Sequence, residues 1–330
     1  MEIAKALILT GCAGDDRPWP TAPNGPKHLF PVANRPILFH NLEALRAAGV
    51  LEGVMLVDSD SGEAIERAVG DGRDWGLSLR YETWSPAEGI GAALGAAERF
   101  VADEPVLVQM GDALLRDRLH SHIATFAREG LDALALRLTR DGGERLLSPA
   151  PGYLLSNRAI SILLDGADAT TNPVADVRAG GGRVRVQRVD GCLPCHGDQE
   201  SLLDSNRRVL EGLQSSYDAS LLDECTVQGS VAIHKTARVR RTLLRGPAII
   251  GPGAEISDAY IGPYTSVGSG VVIEGSQVEY SIVLPDAELR FIGQRLESSV
   301  IGRGARIVRG FDLPGAIRMS VGEGAEVVLS

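Results

Sequence analysis

The sequence predicts an α/β chain in two parts: an N-terminal doubly wound, mostly parallel sheet, then a C-terminal parallel β-helix. Three observations carry this prediction. Short apolar strands alternate with amphipathic helical stretches from residue 5 to about residue 212. From about residue 225 the apolar period changes to six. A loop of small residues, Gly11, Cys12, Ala13 and Gly14, also follows the first apolar run directly. In a parallel sheet that position lies beyond the carboxyl end of a strand, where ligands bind.

The elements follow in order. Ala6, Leu7, Ile8 and Leu9 form a continuous apolar run, as expected of a strand buried on both faces. Residues 53–57, 105–109 and 131–138 read as further strands. Leu38, Leu42 and Leu45 recur at helical spacing, as do Ile90, Leu94, Ala97 and Val101. A last helix carries Leu202, Leu203, Asn206, Val209, Leu210 and Leu213, and a polar stretch follows it. The boundary is therefore placed after Tyr217, giving an α/β domain over 1–217 and a β-helix over 218–330. In the second part Ile233 and Val239, Ile250 and Ile256, Ile261 with Val267 and Ile273, Val283 and Leu289, and Ile301 and Ile307 stand six residues apart. Stacked coils need one inward aliphatic per step, and glycines after several of these anchors are expected to turn the corners.

The first loop suggests phosphate chemistry. Small residues let backbone N–H groups approach phosphates, while Arg17 and Lys27 supply fixed positive charge. The net charge of −10 argues against nucleic-acid binding and gives these two cations more weight. Asp112, in Met110-Gly111-Asp112, follows a buried strand and is placed to hold a hard cation. No apolar run is long enough to span a membrane, and the N-terminus lacks a signal-peptide layout, so a cytoplasmic, membrane-free protein is expected. Four cysteines in 330 residues are not a disulfide framework. Cys192, Cys195 and His196 match the haem attachment pattern and could also be three zinc ligands, but a plain loop with reduced thiols explains them as well.

Residues 5–38, KALILTGCAGDDRPWPTAPNGPKHLFPVANRPIL, resemble the N-terminal signature of the sugar-1-phosphate nucleotidylyltransferases. The chain is particularly similar to the long glucose-1-phosphate thymidylyltransferase-like proteins, whose C-terminal hexapeptide repeats form a left-handed β-helix. The resemblance implies transfer of a nucleotidyl group from a nucleoside triphosphate to a sugar 1-phosphate, with Mg²⁺ as cofactor. Arg17 and Lys27 would be catalytic. Gly11, Cys12, Ala13, Gly14, Trp84, Gly89 and Asp112 would bind the nucleotide, and Asp112 the metal. Exposed coil ends and flat solenoid faces favour a homo-oligomer.

The chain departs from the family pattern at several places. Matching Arg17 requires a one-residue insertion beside Asp15 and Asp16. Trp84 stands where the family carries a base-reading glutamine, so base choice is open. Cys195 stands at the place of the second metal aspartate, although Mg²⁺ prefers oxygen. The family's Glu-Lys-Pro segment has no counterpart, and Arg140 and Arg145 are the only cations near its place. A catalytically silent homologue acting as a regulatory or assembly subunit is the alternative. A solenoid acyltransferase is a third reading, with His234 the only histidine after residue 196 to serve as its base.

Overall fold

The first strand lies inside a seven-stranded sheet, paired on both sides, as its continuous apolar run requires. The computed structural model describes residues 3–11, 26–102, 104–115, 118–138, 150–166, 172–192 and 199–309. In chain order the strands of the first part are β1 (Lys5–Leu9), β2 (Pro31–Val32), β3 (Arg35–Pro36), β4 (Glu52–Val57), β5 (Ser78–Thr83), β6 (Val106–Met110), β7 (Leu114–Leu115), β8 (Ala133–Leu138), β9 (Gly152–Leu155), β10 (Val184–Val189) and β11 (Gly191–Cys192). The helices are α1 (Ile37–Ala47), α2 (Gly62–Val69), α3 (Gly89–Ala96), α4 (Glu98–Val101), α5 (Leu119–Glu129), α6 (Asn157–Asp165), α7 (Pro173–Ala179) and α8 (Gln199–Leu210). The stretch expected as one helix from Ile90 to Val101 is two, α3 and α4, interrupted at Ala97.

The main sheet has the order β10-β8-β9-β6-β1-β4-β5. Its pairings are parallel except that β9 runs antiparallel to both β6 and β8. Side chains on a strand alternate between faces, and both faces are apolar here. Ala6 and Ile8 join Leu38, Leu42 and Leu45 of α1, Ile65 of α2 and Phe126 of α5 in one core layer. Leu7 and Leu9 join Ile90 and Leu94 of α3, Ile160 of α6 and Val177 of α7 in the other. This is the doubly wound arrangement the alternation predicts.

The second part is a parallel β-helix. Its three sheets contain six, five and five strands, every pairing parallel. Ile233 stacks on Ile250, Ile250 on Val267 and Val267 on Val283, each one coil above the last. Val239, Ile256, Ile273 and Leu289 form a second ladder. With Leu244, Ile261 and Val278 from the third sheet they make one core column. This matches the coil that the resemblance describes as left-handed.

The corners differ in detail from the sequence reading. Gly251, Gly262 and Gly268, which follow anchor residues, do not adopt positive φ. Close approach explains Gly268, where a Cβ would lie 2.7 Å from the Pro285 nitrogen of the next coil. Left-handed positions in the solenoid are shared between other glycines, such as Gly253, Gly270 and Gly275, and non-glycine residues, among them Glu224, Arg241 and Asp258. The Arg241 guanidinium donates both Nε and Nη2 to the Asp258 carboxylate one coil on, at 2.7 and 2.6 Å. Such a bidentate pair favours the geometry that the corner requires.

The two parts meet along α8. Phe30, Val32 and Ile37 from the first part, Leu202 and Leu203 of α8, and Ile282 and Leu284 of the solenoid form one buried cluster.

Candidate active site

Four parallel strands, β1, β4, β5 and β6, end on the same edge of the sheet. The residues that follow them, Gly11, Asp58, Trp84 and Asp112, are therefore gathered there by topology. Thr10 anchors the end of β1, its backbone N–H and its hydroxyl both donating to the Leu56 carbonyl at 2.9 Å. The Gly111 N–H donates to the Leu9 carbonyl at 2.8 Å, tying the end of β6 to that of β1. Asn41 of α1 then donates from Nδ2 to the Gly111 carbonyl at 2.8 Å, while Gln109 Nε2 donates to Asn41 Oδ1. This buried amide chain holds the turn that carries Asp112, which is 1% exposed.

Lys27 opens a short 3₁₀ turn over Lys27–Leu29, where its side chain is half-buried. Pro26 precedes the turn, and the Phe30 N–H donates back to the Lys27 carbonyl at 3.0 Å. The next residue, His28, is fully buried and lies against Gly111. Neither ring nitrogen of His28 has a hydrogen-bond partner among the described residues. Burial holds its imidazole below the ordinary value, opposed by Asp112, reinforced by Lys27 and opposed again by Asp58. Lys27 precedes His28 and Asp112 follows Gly111, so the contact of His28 with Gly111 brings the two stretches of backbone close together.

Gly11 has φ +145°, and the space a Cβ would occupy is filled by the Pro86 ring, with Cγ 2.5 Å away. The glycine therefore lets the backbone just past β1 pass close to Pro86. There the Trp84 N–H donates to the Val57 carbonyl at 3.0 Å, and Gly89, at φ +76°, opens α3. Trp84 is half-buried, and its indole Nε1 has no partner among the described residues.

Arg17, Cys12, Ala13, Gly14, Arg140, Arg145, Cys195 and His196 lie outside the described residues, as does the side chain of Cys192. Among the described residues no three His, Cys, Asp or Glu side chains converge as a metal cluster. Nor is any helix among them long and apolar enough to cross a membrane. Sequence reasoning missed His28, Asn41, Gln109 and Asp58. Asn41 left a trace, as the residue beside Leu42 on the core-facing side of an amphipathic helix, a place polar groups occupy only when bonded.

The buried histidines make stability pH-dependent. His40 is likewise held low by burial, partly offset by its bond to the Val32 carbonyl. Each takes up a proton more readily when the chain unfolds, so below about pH 6.5 the unfolded state binds more protons. The stability contribution is intact above that pH and falls as pH drops through it, by up to about 1.4 kcal/mol per pH unit per histidine. Urea midpoints at about pH 7.5 and pH 5.5 should differ more in the parent than in His28→Gln. Equal acid sensitivity in the two proteins would contradict the assignment.

Comparison with known proteins agrees with this fold. The nucleotidyl transferase family profile matches residues 5–142. The chain is 31% identical to a glucose-1-phosphate thymidylyltransferase of Streptomyces antibioticus, covering 98% of this chain and 99% of that one. Another from Streptomyces griseus is 30% identical, with 99% of each chain covered. The low-salt glycan biosynthesis nucleotidyltransferase of Haloferax volcanii is 28% identical over 98% of this chain and all of its own. In fold, the chain resembles the crystal structure of a protein from Bacillus anthracis described as a glucose-1-phosphate thymidylyltransferase, with TM-score 0.52 and 19% identity over 64% of this chain and 97% of that one. The chain belongs to the sugar-1-phosphate nucleotidylyltransferase family.

Proposed function

We propose that this protein transfers a nucleotidyl group from a nucleoside triphosphate to a sugar 1-phosphate, as the names of its relatives indicate for them. A sugar-phosphate oxygen forms a bond to the α-phosphorus, the α–β bridging P–O bond breaks, and pyrophosphate leaves with the electron pair. The observation that carries this reading is the packing of His28, next to Lys27, against Gly111, next to Asp112, beyond the strand ends, in a chain alignable along its length with thymidylyltransferases. Lys27 stabilises the charge that grows on the α-phosphate, and Arg17 binds the departing phosphates. Gly11, Cys12, Ala13, Gly14 and Gly89 line the nucleotide's path.

A Mg²⁺ ion suits this donor set. Mg²⁺ keeps several waters and needs only one or two carboxylates when phosphates supply the rest. Asp112 would be the carboxylate, and the ion would offset the charge of the triphosphate. The solenoid faces support self-association into a homo-oligomer.

Trp84 offers the base an indole face to stack on. Every base has such a face, so stacking holds the base without choosing among the four. Trp84→Phe, which keeps a ring, should retain nucleotide binding that Trp84→Ala loses.

The deciding experiment is pyrophosphate release with Mg²⁺, each common nucleoside triphosphate and a panel of sugar 1-phosphates. Release with one pairing supports the proposal. Silence across the panel favours the second reading, a regulatory or assembly homologue, to which tryptophan at the glutamine position also points.

A further inference from the structure

The hairpin that follows Lys27 is held from outside its own domain. Its two central residues, Ala33 and Asn34, have φ of +48° and +62°. For alanine that conformation costs about 1 kcal/mol or more, so something must hold it. The Ala33 N–H donates to Asn206 Oδ1 of α8 at 2.9 Å, and Asn34 Nδ2 donates to the Val267 carbonyl of the solenoid at 2.7 Å. Asn206 is wholly buried. Its Oδ1 also accepts from the Ser266 hydroxyl at 2.5 Å, and its Nδ2 donates to the Tyr264 carbonyl at 2.9 Å. One amide therefore joins the hairpin, the closing helix and a solenoid coil. Phe30, three residues after Lys27, is clamped in the apolar cluster shared by the same three elements, and the Ile37 N–H closes the hairpin on the Phe30 carbonyl at 3.0 Å.

We infer that Asn206 and Asn34 are positioning residues through which the solenoid sets the place of Lys27, an inference that rests on the proposed nucleotidyl transfer for its catalytic consequence. The solenoid is then part of the catalytic apparatus as a strut and carries no chemistry of its own. Lys27 acts on charge that appears in the transition state, so misplacing it lowers kcat and leaves KM nearly unchanged.

The test uses Asn34→Gly, which tolerates the left-handed turn and deletes only the bond to Val267. Asn206→Ala is the stronger companion. Ile256→Val, a truncation in the solenoid core costing about 1 kcal/mol, is the control for general destabilisation. Asn34→Gly should lower kcat about tenfold with KM within about twofold, because small displacements of a catalytic group are costly. Ile256→Val should leave kcat at the parent value. Hydrogen exchange provides a readout independent of turnover: amides of residues 27–30 should exchange about tenfold faster in Asn34→Gly and in Asn206→Ala, and at the parent rate in Ile256→Val. Unchanged exchange at residues 27–30, or an equal fall of kcat in Ile256→Val, would overturn the inference. If the parent releases no pyrophosphate with any substrate pairing, nucleotidyl transfer fails, and the exchange result alone decides whether the strut exists.

Discussion

Replacing Lys27 with alanine will lower pyrophosphate release by about 10²–10³-fold, the usual effect of deleting one group that meets developing charge. The melting temperature will barely move. The side chain is half-buried, and the bonds that shape its turn, Leu29 N–H to the Pro26 carbonyl and Phe30 N–H to the Lys27 carbonyl, are made by the backbone. They survive truncation of the side chain. Lys27→Met, which keeps the aliphatic stem, should be as inactive as the alanine variant. Lys27→Arg should recover only part of the rate, since a broad planar fork does not replace a compact point charge. Assays with saturating triphosphate and a melting curve for each variant test this. Turnover within a few-fold of the parent in Lys27→Ala would remove the central group from the mechanism.

The second large effect is expected at Gly11. Its φ of +145° is a conformation that side chains rarely adopt, and an added Cβ meets Pro86 Cγ at 2.5 Å. Backbone strain of this kind costs about 1–3 kcal/mol. Overpacking costs about another 1–3 kcal/mol. Gly11→Ala should therefore destabilise by about 2–6 kcal/mol and weaken nucleotide binding, since the end of β1 and Pro86 are pushed apart. The two causes separate in a double variant. Adding Pro86→Ala leaves only the Pro86 Cβ, at an ordinary 3.6 Å, and should restore about half of the loss. Denaturant unfolding of the three variants measures this. Full recovery would assign the whole cost to the clash, and no recovery would assign it to the backbone.

These predictions draw unequally on sequence and structure. Lys27 and Asp112 were legible because each follows a strong local signal, a proline-flanked lysine and a buried strand ending in Gly-Asp. Gly11 was legible as a residue, but only part of its reason was. The sequence suggested a small residue beside phosphate, and the structure adds the Pro86 ring in the space a side chain would take. Pro86 is seventy-five positions away, and no local pattern reports such a contact. His28 was illegible for a related reason. It stands beside a solvated-looking lysine, and only the folding of residues 26–30 beneath Gly111 buries it. The non-glycine corners were hidden too, because Arg241 and Asp258 are charges that look like ordinary surface until they stack.

The sequence by itself determined the architecture. Apolar runs with both strand faces filled demand a covered sheet, and aliphatics at six-residue steps demand stacked coils, since each pattern can bury its surface in only one way. Only the tertiary structure decided which elements touch. It inserted β9 antiparallel between β6 and β8, and it brought Asn34 against Val267 across 233 residues. Periodicity records how a segment is buried but not against what. The cost of closing a longer loop rises so slowly that sequence distance does not single out a partner either. The partner is chosen by packing, and packing exists only in the folded chain.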